Sequence, residues 1–519
     1  MRDEEDRPTG HAAIHKPALP RIAGAPTQAL FAATLGFFVG FAAVSLFGPT
    51  AQLLNRAMDL TPTQVGLLVA IPAATGSLLR IPFGAWVDSA GGRTPMLTLL
   101  ILSALGMGGL LVLLAAKFPD GLTAAHYPLL LLLGMLCGCG IATFSVGIGQ
   151  VSYWHRQACQ GQALAIYAGF GNVAPGLFAL LIPLAVARTS LATAYAIWLA
   201  MLVLGIIAYA AWAHDAPYFQ FRHKLRAPPA QAARWAFDHG QELMPAGGMR
   251  EGLARTIGLG RTWALIGLYF TSFGGFLALT AWLPTYWYDR FGFGLTAAGA
   301  LTMGYSVLAS LIRVPGGFLS DRMGGETTAL AAFAVMAAGA VIVALAAAAP
   351  VAVVGTTVMA VGMGGANAAV FKLVPKYLAT VAGGAGAGWV GGLGALGGLV
   401  LPPALGGLVE GYGAERGYLL GFGLFAFLAL GSALTTLILR RRLGPARLPA
   451  DARGPMTVFC PHKNRPAEVW AAAASGETAP VRLVFCSLVD GEPTCDAACL
   501  ERQEQRRGAD PSTSRPIHP

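Results

Sequence analysis

Polar and apolar positions along the chain segregate into blocks. Twelve apolar runs, each about 20 residues or longer, alternate with short polar stretches. A run of that length crosses roughly 30 Å of hydrocarbon as a helix. The pattern predicts spans near residues 29–54, 64–87, 94–116, 127–154, 160–187, 191–213, 262–288, 296–320, 327–348, 351–378, 381–408 and 416–440. Five regions follow: an N-terminal tail 1–28, a six-span half 29–213, a central loop 214–261, a second six-span half 262–440 and a Cys-containing tail 441–519. The predicted class is an all-α membrane protein with a lipid bilayer around it. An even number of spans puts both tails and the central loop on one side.

The two halves share sequence. Residues 79–94 read LRIPFGAWVDSAGGRT and end the second span, and residues 312–327 read IRVPGGFLSDRMGGET and end the eighth. Arg, Pro, Gly, Asp, Gly-Gly and Thr coincide at one offset. Spans five and eleven pair in the same way, as AGFGNVAPGLFALLIP from Ala168 and AGWVGGLGALGGLVLP from Ala387. Duplicated six-span halves are the mark of a large transporter architecture.

Composition agrees with a membrane protein. Of 519 residues, 55% are hydrophobic and only 12% charged, against about a quarter charged in soluble domains. The 68 glycines suit close helix approach where lipid gives no hydrophobic drive to packing. The net charge of +10 does not point to nucleic acid, because the bases follow membrane topology. Of the 35 Lys and Arg, 28 fall on the side of the tails and five on the opposite loops. The positive-inside rule then places both termini in the cytoplasm, with an inner (plasma) membrane as the expected location. The first apolar run, near Ala29, is too long for a signal h-region and reads as a retained span.

The remaining two bases, Arg80 and Arg313, sit inside spans. Each stands eight residues before an acidic residue, Asp88 or Asp321, that marks the end of its span. Both are therefore roughly 12 Å deep. A charge there costs about 2.5–3.5 kcal/mol even on the milder insertion scale, and arginine cannot escape by losing its proton. No Asp or Glu lies in the interior of any predicted span, so a bound anion is the simple partner. A planar guanidinium matches a planar oxyanion through two parallel charge-assisted bonds. The alternative, in which each arginine snorkels or caps carbonyls, fits poorly with duplicated placement at matched depth. Lys372 in span ten is a possible base on the pathway or an interface lysine.

The stretch from Gly84 through Asp88 and Gly91-Gly92 to Arg93 resembles the loop motif of the major facilitator superfamily. Gly169, Gly171, Asn172 and Pro183, with Gly388, Gly391, Gly398 and Pro402, resemble the paired signature segments of its nitrate/nitrite porter family. Phe371-Lys372 and Tyr269 through Phe273-Gly274 resemble that family as well. The resemblance implies a twelve-helix bundle of two pseudo-symmetric halves with a central site. It implies that Arg80 and Arg313 bind the anion, helped by Asn172, Tyr269, Phe273, Phe144 and Phe41. Gly169, Gly171, Gly388, Gly391, Gly84, Asp88, Arg93 and Asp321 take conformational and packing roles. One departure stands out: Ala174-Pro175-Gly176 follows Asn172, and Pro175 is expected to kink span five.

The expected activity is carriage of nitrate or nitrite by alternating access, as exchange or as proton-coupled uptake. Competing readings are a carrier of another small anion such as a monocarboxylate, and a transporter-like sensor signalling through its tail. An enzyme, a cofactor and a nucleic-acid partner are not expected, and the protein is read as a monomer. Cys460, Cys486, Cys495 and Cys499, with His462, leave zinc ligation open, although reduced free thiols are favoured there.

Overall fold

A computed structural model describes residues 20–245, 256–378, 383–442, 452–460, 465–472 and 482–486. Among these, the helical runs long and apolar enough to cross a bilayer are Pro26–Met58, Pro62–Ala90, Arg93–Lys117, Ala124–Trp154, Cys159–Arg188, Leu191–Trp212, Gly260–Phe291, Leu295–Met323, Gly325–Ala344, Ala349–Leu378 and Gly388–Arg441. These are spans 1 to 10 and, in the last run, spans 11 and 12. The last run turns at Gly413, whose φ of 75° and ψ of 167° no helix contains. A left-handed φ suits glycine because it has no Cβ to clash. Twelve spans result, as the apolar blocks predict.

The duplicated Gly-Gly turns explain how spans 2 and 8 end. Gly91 and Gly324 occupy matching positions and both have positive φ, at 81° and 87°. Around the first copy the fold adds a network. Asp215 Oδ1 accepts from the Arg93 backbone N–H at 2.9 Å, and Arg93 Nη2 donates to the Ala210 carbonyl at 2.8 Å. The Tyr153 hydroxyl donates to Asp88 Oδ1 at 2.5 Å. Around the second copy the ammonium of Lys372 pairs with the Asp321 carboxylate, while Lys376 Nζ and the Tyr377 hydroxyl converge on Glu326 Oε1 at 2.6 and 2.7 Å.

At the end of the bundle away from the tails the two halves touch through polar bonds. Gln52 Nε2 donates to Asp289 Oδ1 at 3.1 Å, and Arg56 Nη2 donates to the Tyr288 hydroxyl at 2.7 Å. The N–H and hydroxyl of Thr63 both donate to Glu410 Oε2. Glycines allow the backbones this close: a Cβ on Gly66 would stand 2.5 Å from the Pro402 carbonyl, and one on Gly406 2.2 Å from that of Pro62.

The all-α expectation holds for the membrane region. Beyond it the tail forms a three-stranded antiparallel sheet in the order β1 (Ala452–Cys460), β2 (Arg465–Ala472) and β3 (Arg482–Cys486). No strands were predicted for this tail from its sequence. His462, Cys495 and Cys499, and with them the zinc alternative, lie outside the described residues.

Candidate functional site

Both buried arginines stand at a break in their helices, and proline chemistry places the break. Span 2 consists of segments Pro62–Ala70, Pro72–Leu78 and Arg80–Ala90, and span 8 of Leu295–Leu311 and Arg313–Met323. Pro82 and Pro315 lack the N–H that would bond the carbonyls of Leu78 and Leu311, so the ladder is interrupted there. It resumes with Phe83 donating to Leu79 at 3.0 Å and Gly316 donating to Ile312 at 2.9 Å. The shared Arg-x-Pro spacing thus puts each guanidinium at the first residue of a new segment. Span 5 breaks at Asn172, between Gln157–Gly171 and Val173–Arg188. Pro175 causes it in the same way, so the expected kink is present. Span 11 breaks at Leu396 with no proline nearby, in a glycine-rich run.

The aromatic side chains come from distorted turns too. Phe41 precedes a 3-10 turn, Ala42–Ser45, and Phe144 follows another, Cys139–Ala142. Phe273 lies in a π-helical segment, Phe270–Gly274. Widened turns of this kind are frequent at functional sites.

These elements converge. Arg80 Cζ lies 4.9 Å from the ring centre of Phe144 and 4.8 Å from that of Phe273. Arg313 Cζ lies 5.8 and 5.6 Å from the same two rings. The rings are stacked, 5.6 Å apart, with Phe41 stacked on Phe273 at 6.1 Å and Tyr269 on its other flank at 4.8 Å. Arg80, Arg313, Phe144, Phe273, Tyr269 and Phe41 therefore form one cluster. Its rings come from spans 1, 4 and 7 and its charges from spans 2 and 8.

Hydrogen-bond accounting at this cluster is incomplete in an informative way. Arg80 is fully buried and Arg313 is 8% exposed. Arg80 Nη1 donates to the Gly391 carbonyl at 3.1 Å, across the two halves. Among the described residues Arg80 Nε and Nη2, Arg313 Nη1 and the Tyr269 hydroxyl have no partner. The Tyr269 hydroxyl faces both guanidinium groups without meeting hydrogen-bond geometry to either. Among the described residues no carboxylate lies within ion-pair distance of either arginine. Buried donors are rarely left unpaired, and a buried charge without a partner costs several kcal/mol. The cluster thus presents two positive forks and one hydroxyl between flat apolar walls.

Other predicted residues fall around this cluster. Asn172 is buried on the break of span 5. Its Nδ2 donates to the Ala168 carbonyl at 2.5 Å and its Oδ1 has no partner, so one amide hydrogen remains for a ligand. A Cβ on Gly171 would stand 1.9 Å from Phe37, and one on Gly169 3.3 Å from Val314. Gly84 faces Ser145 at 3.4 Å, and Gly391 supplies the carbonyl that holds Arg80. Gly388 has no described atom within 4 Å of its Cβ position. Lys372 is held by Asp321, with side chains 40% and 68% exposed.

Three cluster residues were not among the predicted site residues. The Phe371 ring packs edge-on against Phe144 and Tyr269, at 5.9 and 5.0 Å. Phe37 packs on Phe41 and Phe144 at 4.7 and 5.2 Å. Tyr167 fixes the Phe144 turn by donating to the carbonyls of Thr143 and Phe144 at 3.1 and 2.9 Å. The available signal was helical spacing: Phe37 lies one turn before Phe41, and Tyr167 one turn before Gly171.

Comparison with known proteins agrees with this geometry. The sequence profile of the Major Facilitator Superfamily matches residues 33–387. A probable nitrate/nitrite transporter NarK2 of Mycobacterium tuberculosis is 32% identical over 369 residues, which cover 71% of this chain and 85% of that protein. A probable nitrate/nitrite antiporter NarK1 of Thermus thermophilus is 29% identical, covering 75% and 87%. The nitrite extrusion protein of Bacillus subtilis is 27% identical, covering 77% and 91%. Among solved structures, the xylose transporter XylE of E. coli, in a partially occluded inward-open conformation, superposes with a TM-score of 0.62 at 13% identity, over 82% of this chain and 99% of that one. At that identity the likeness speaks for the fold alone.

Proposed function

Since the chain belongs to the Major Facilitator Superfamily, and within it to the nitrate/nitrite porters, it is a multi-pass membrane transporter, and we propose that it carries nitrate and nitrite between Arg80 and Arg313. The supporting observation is the pair of guanidinium groups packed on the same two rings, with unpaired donors and no neighbouring carboxylate. One arginine comes from each half, so the anion joins the halves. Tyr269 donates to an anion oxygen, and Asn172 reaches it with its remaining amide hydrogen. Phe144, Phe273 and Phe41 lie against the flat faces of the ligand and exclude water.

Transport follows from the same charges. The bonds of Gln52, Arg56 and Thr63 to the C-terminal half close the end away from the tails. The opposite movement must break them while the halves rock about the anion. Without an anion, two like charges share one dry cavity, and bringing the halves together around them is costly. A loaded site crosses more readily than an empty one, and that asymmetry favours exchange over one-way flux. Both termini are cytoplasmic in this reading, in an inner membrane.

Counterflow in proteoliposomes tests it, with labelled nitrate inside and nitrite outside. Nitrite should drive nitrate out whether or not a pH gradient is present. Strict dependence on the gradient would replace exchange by proton-coupled uptake. Competition by a monocarboxylate but not by nitrite would overturn the choice of substrate.

A further inference from the structure

Span 10 carries a buried carboxamide that the site as described does not use. Asn367 is 1% exposed and its Oδ1 has no hydrogen-bond partner. Leaving an amide oxygen buried and unpaired is costly, so a role outside packing is indicated. Span 10 is continuous helix over Ala349–Leu378, where residues four apart share a face. One turn before Asn367 stands Met363, whose Sδ accepts from the Tyr305 hydroxyl at 2.8 Å and whose Cε lies 3.1 Å from the Cβ position of Gly275. One turn after it stands Phe371, packed on Tyr269 and Phe144. Asn367 lies between them, on the stripe that faces the aromatic cluster. A different stripe meets span 8: Gly365 and Ala368 oppose Gly316, and Gly364 opposes Ala309 and Ile312.

We propose that Asn367 reads the third oxygen of the bound anion and so favours nitrate over nitrite. The inference rests on the anion site proposed above and adds a selectivity residue to it. Nitrate is trigonal with three oxygens, whereas nitrite is bent with two. Forks approaching from opposite halves, with the Tyr269 hydroxyl and the remaining amide hydrogen of Asn172 beside them, satisfy two oxygens of either ion. A third oxygen needs a further donor. A half-turn about χ2 presents the amide NH2 of Asn367 in place of its oxygen, and no bond to the oxygen opposes that turn. With nitrite bound the amide stays unpaired, and the site loses what nitrate gains. A site built to bond one polar group discriminates against the analogue that lacks it.

The experiment titrates nitrate and nitrite separately into the purified full-length chain, using the natural protein, Asn367→Leu and Asn367→Ser. Leucine keeps the approximate volume and removes the donor, whereas serine keeps a donor. Asn367→Leu should weaken nitrate binding about tenfold, as expected for one bond to a charged group. Nitrite binding should be unchanged, and Asn367→Ser should fall between. Equal losses for both anions, or no loss for either, overturn the selectivity role while the two-arginine site stands. Binding of neither anion by the natural protein overturns both. The melting temperature gives an independent readout. Replacing an unpaired amide by leucine should leave it level or raise it, and a fall would assign Asn367 to packing and overturn the proposal.

Discussion

Arg80 and Arg313 occupy equivalent places in duplicated sequence, yet the structure holds them differently. Both open a helix segment after a proline-induced break, and both lie over Phe144 and Phe273. Arg80 is fully enclosed, sits about 1 Å closer to the rings and donates to Gly391 of the opposite half. Arg313 is slightly exposed, and its Nη1 has no partner. The repeat therefore sets where each charge stands, and the opposing half sets how firmly it is held. Arg80 is the anchored arm and Arg313 the free one. Because the Gly391 carbonyl belongs to the other half, the anchor is also sensitive to relative movement of the halves.

Substitutions can break or sharpen this contrast. The largest effect is expected from lysine at either arginine, which keeps charge but loses the fork. Losing two charge-assisted bonds should lower exchange about a hundredfold or more. The double variant should be little worse than either single one, because groups acting as a unit are not additive. Full additivity in the proteoliposome rates would mean two separate sites. Next, Tyr269→Phe removes one neutral donor beside both arms and should raise the half-saturating nitrate concentration about tenfold. Phe144→Leu removes a ring shared by both guanidiniums and should cost about 0.5–2 kcal/mol of anion affinity. The smallest effect is expected at Lys372, whose pair with Asp321 is largely exposed. Lys372→Gln should change transport by less than about 1 kcal/mol in equivalent barrier, and the change should shrink as salt is raised.

Much of the site was legible in the sequence, for identifiable reasons. Arg80 and Arg313 stood out because charge in an apolar run is costly, whereas the helix breaks that their Arg-x-Pro spacing causes were not anticipated. Pro175 announced the break at Asn172 by the same chemistry. What escaped notice depended on contacts between distant spans. Nothing local marks Phe371 as the edge-on neighbour of Tyr269, or Phe37 as the residue that Gly171 must accommodate. The pairing of Lys372 with Asp321 joins residues 51 apart, so nothing local to either residue announced it. Gly388, included because the signature segment contains it, has no described atom within 4 Å of its Cβ position.

The central claim, that both guanidinium groups hold one anion, is tested most directly by calorimetric titration of nitrate into the purified protein and into Arg80→Lys and Arg313→Lys side by side. The natural protein should bind one nitrate per chain saturably, and each lysine variant, folded by its melting curve, should bind none in the same concentration range. Undiminished nitrate binding by either folded variant would contradict the account.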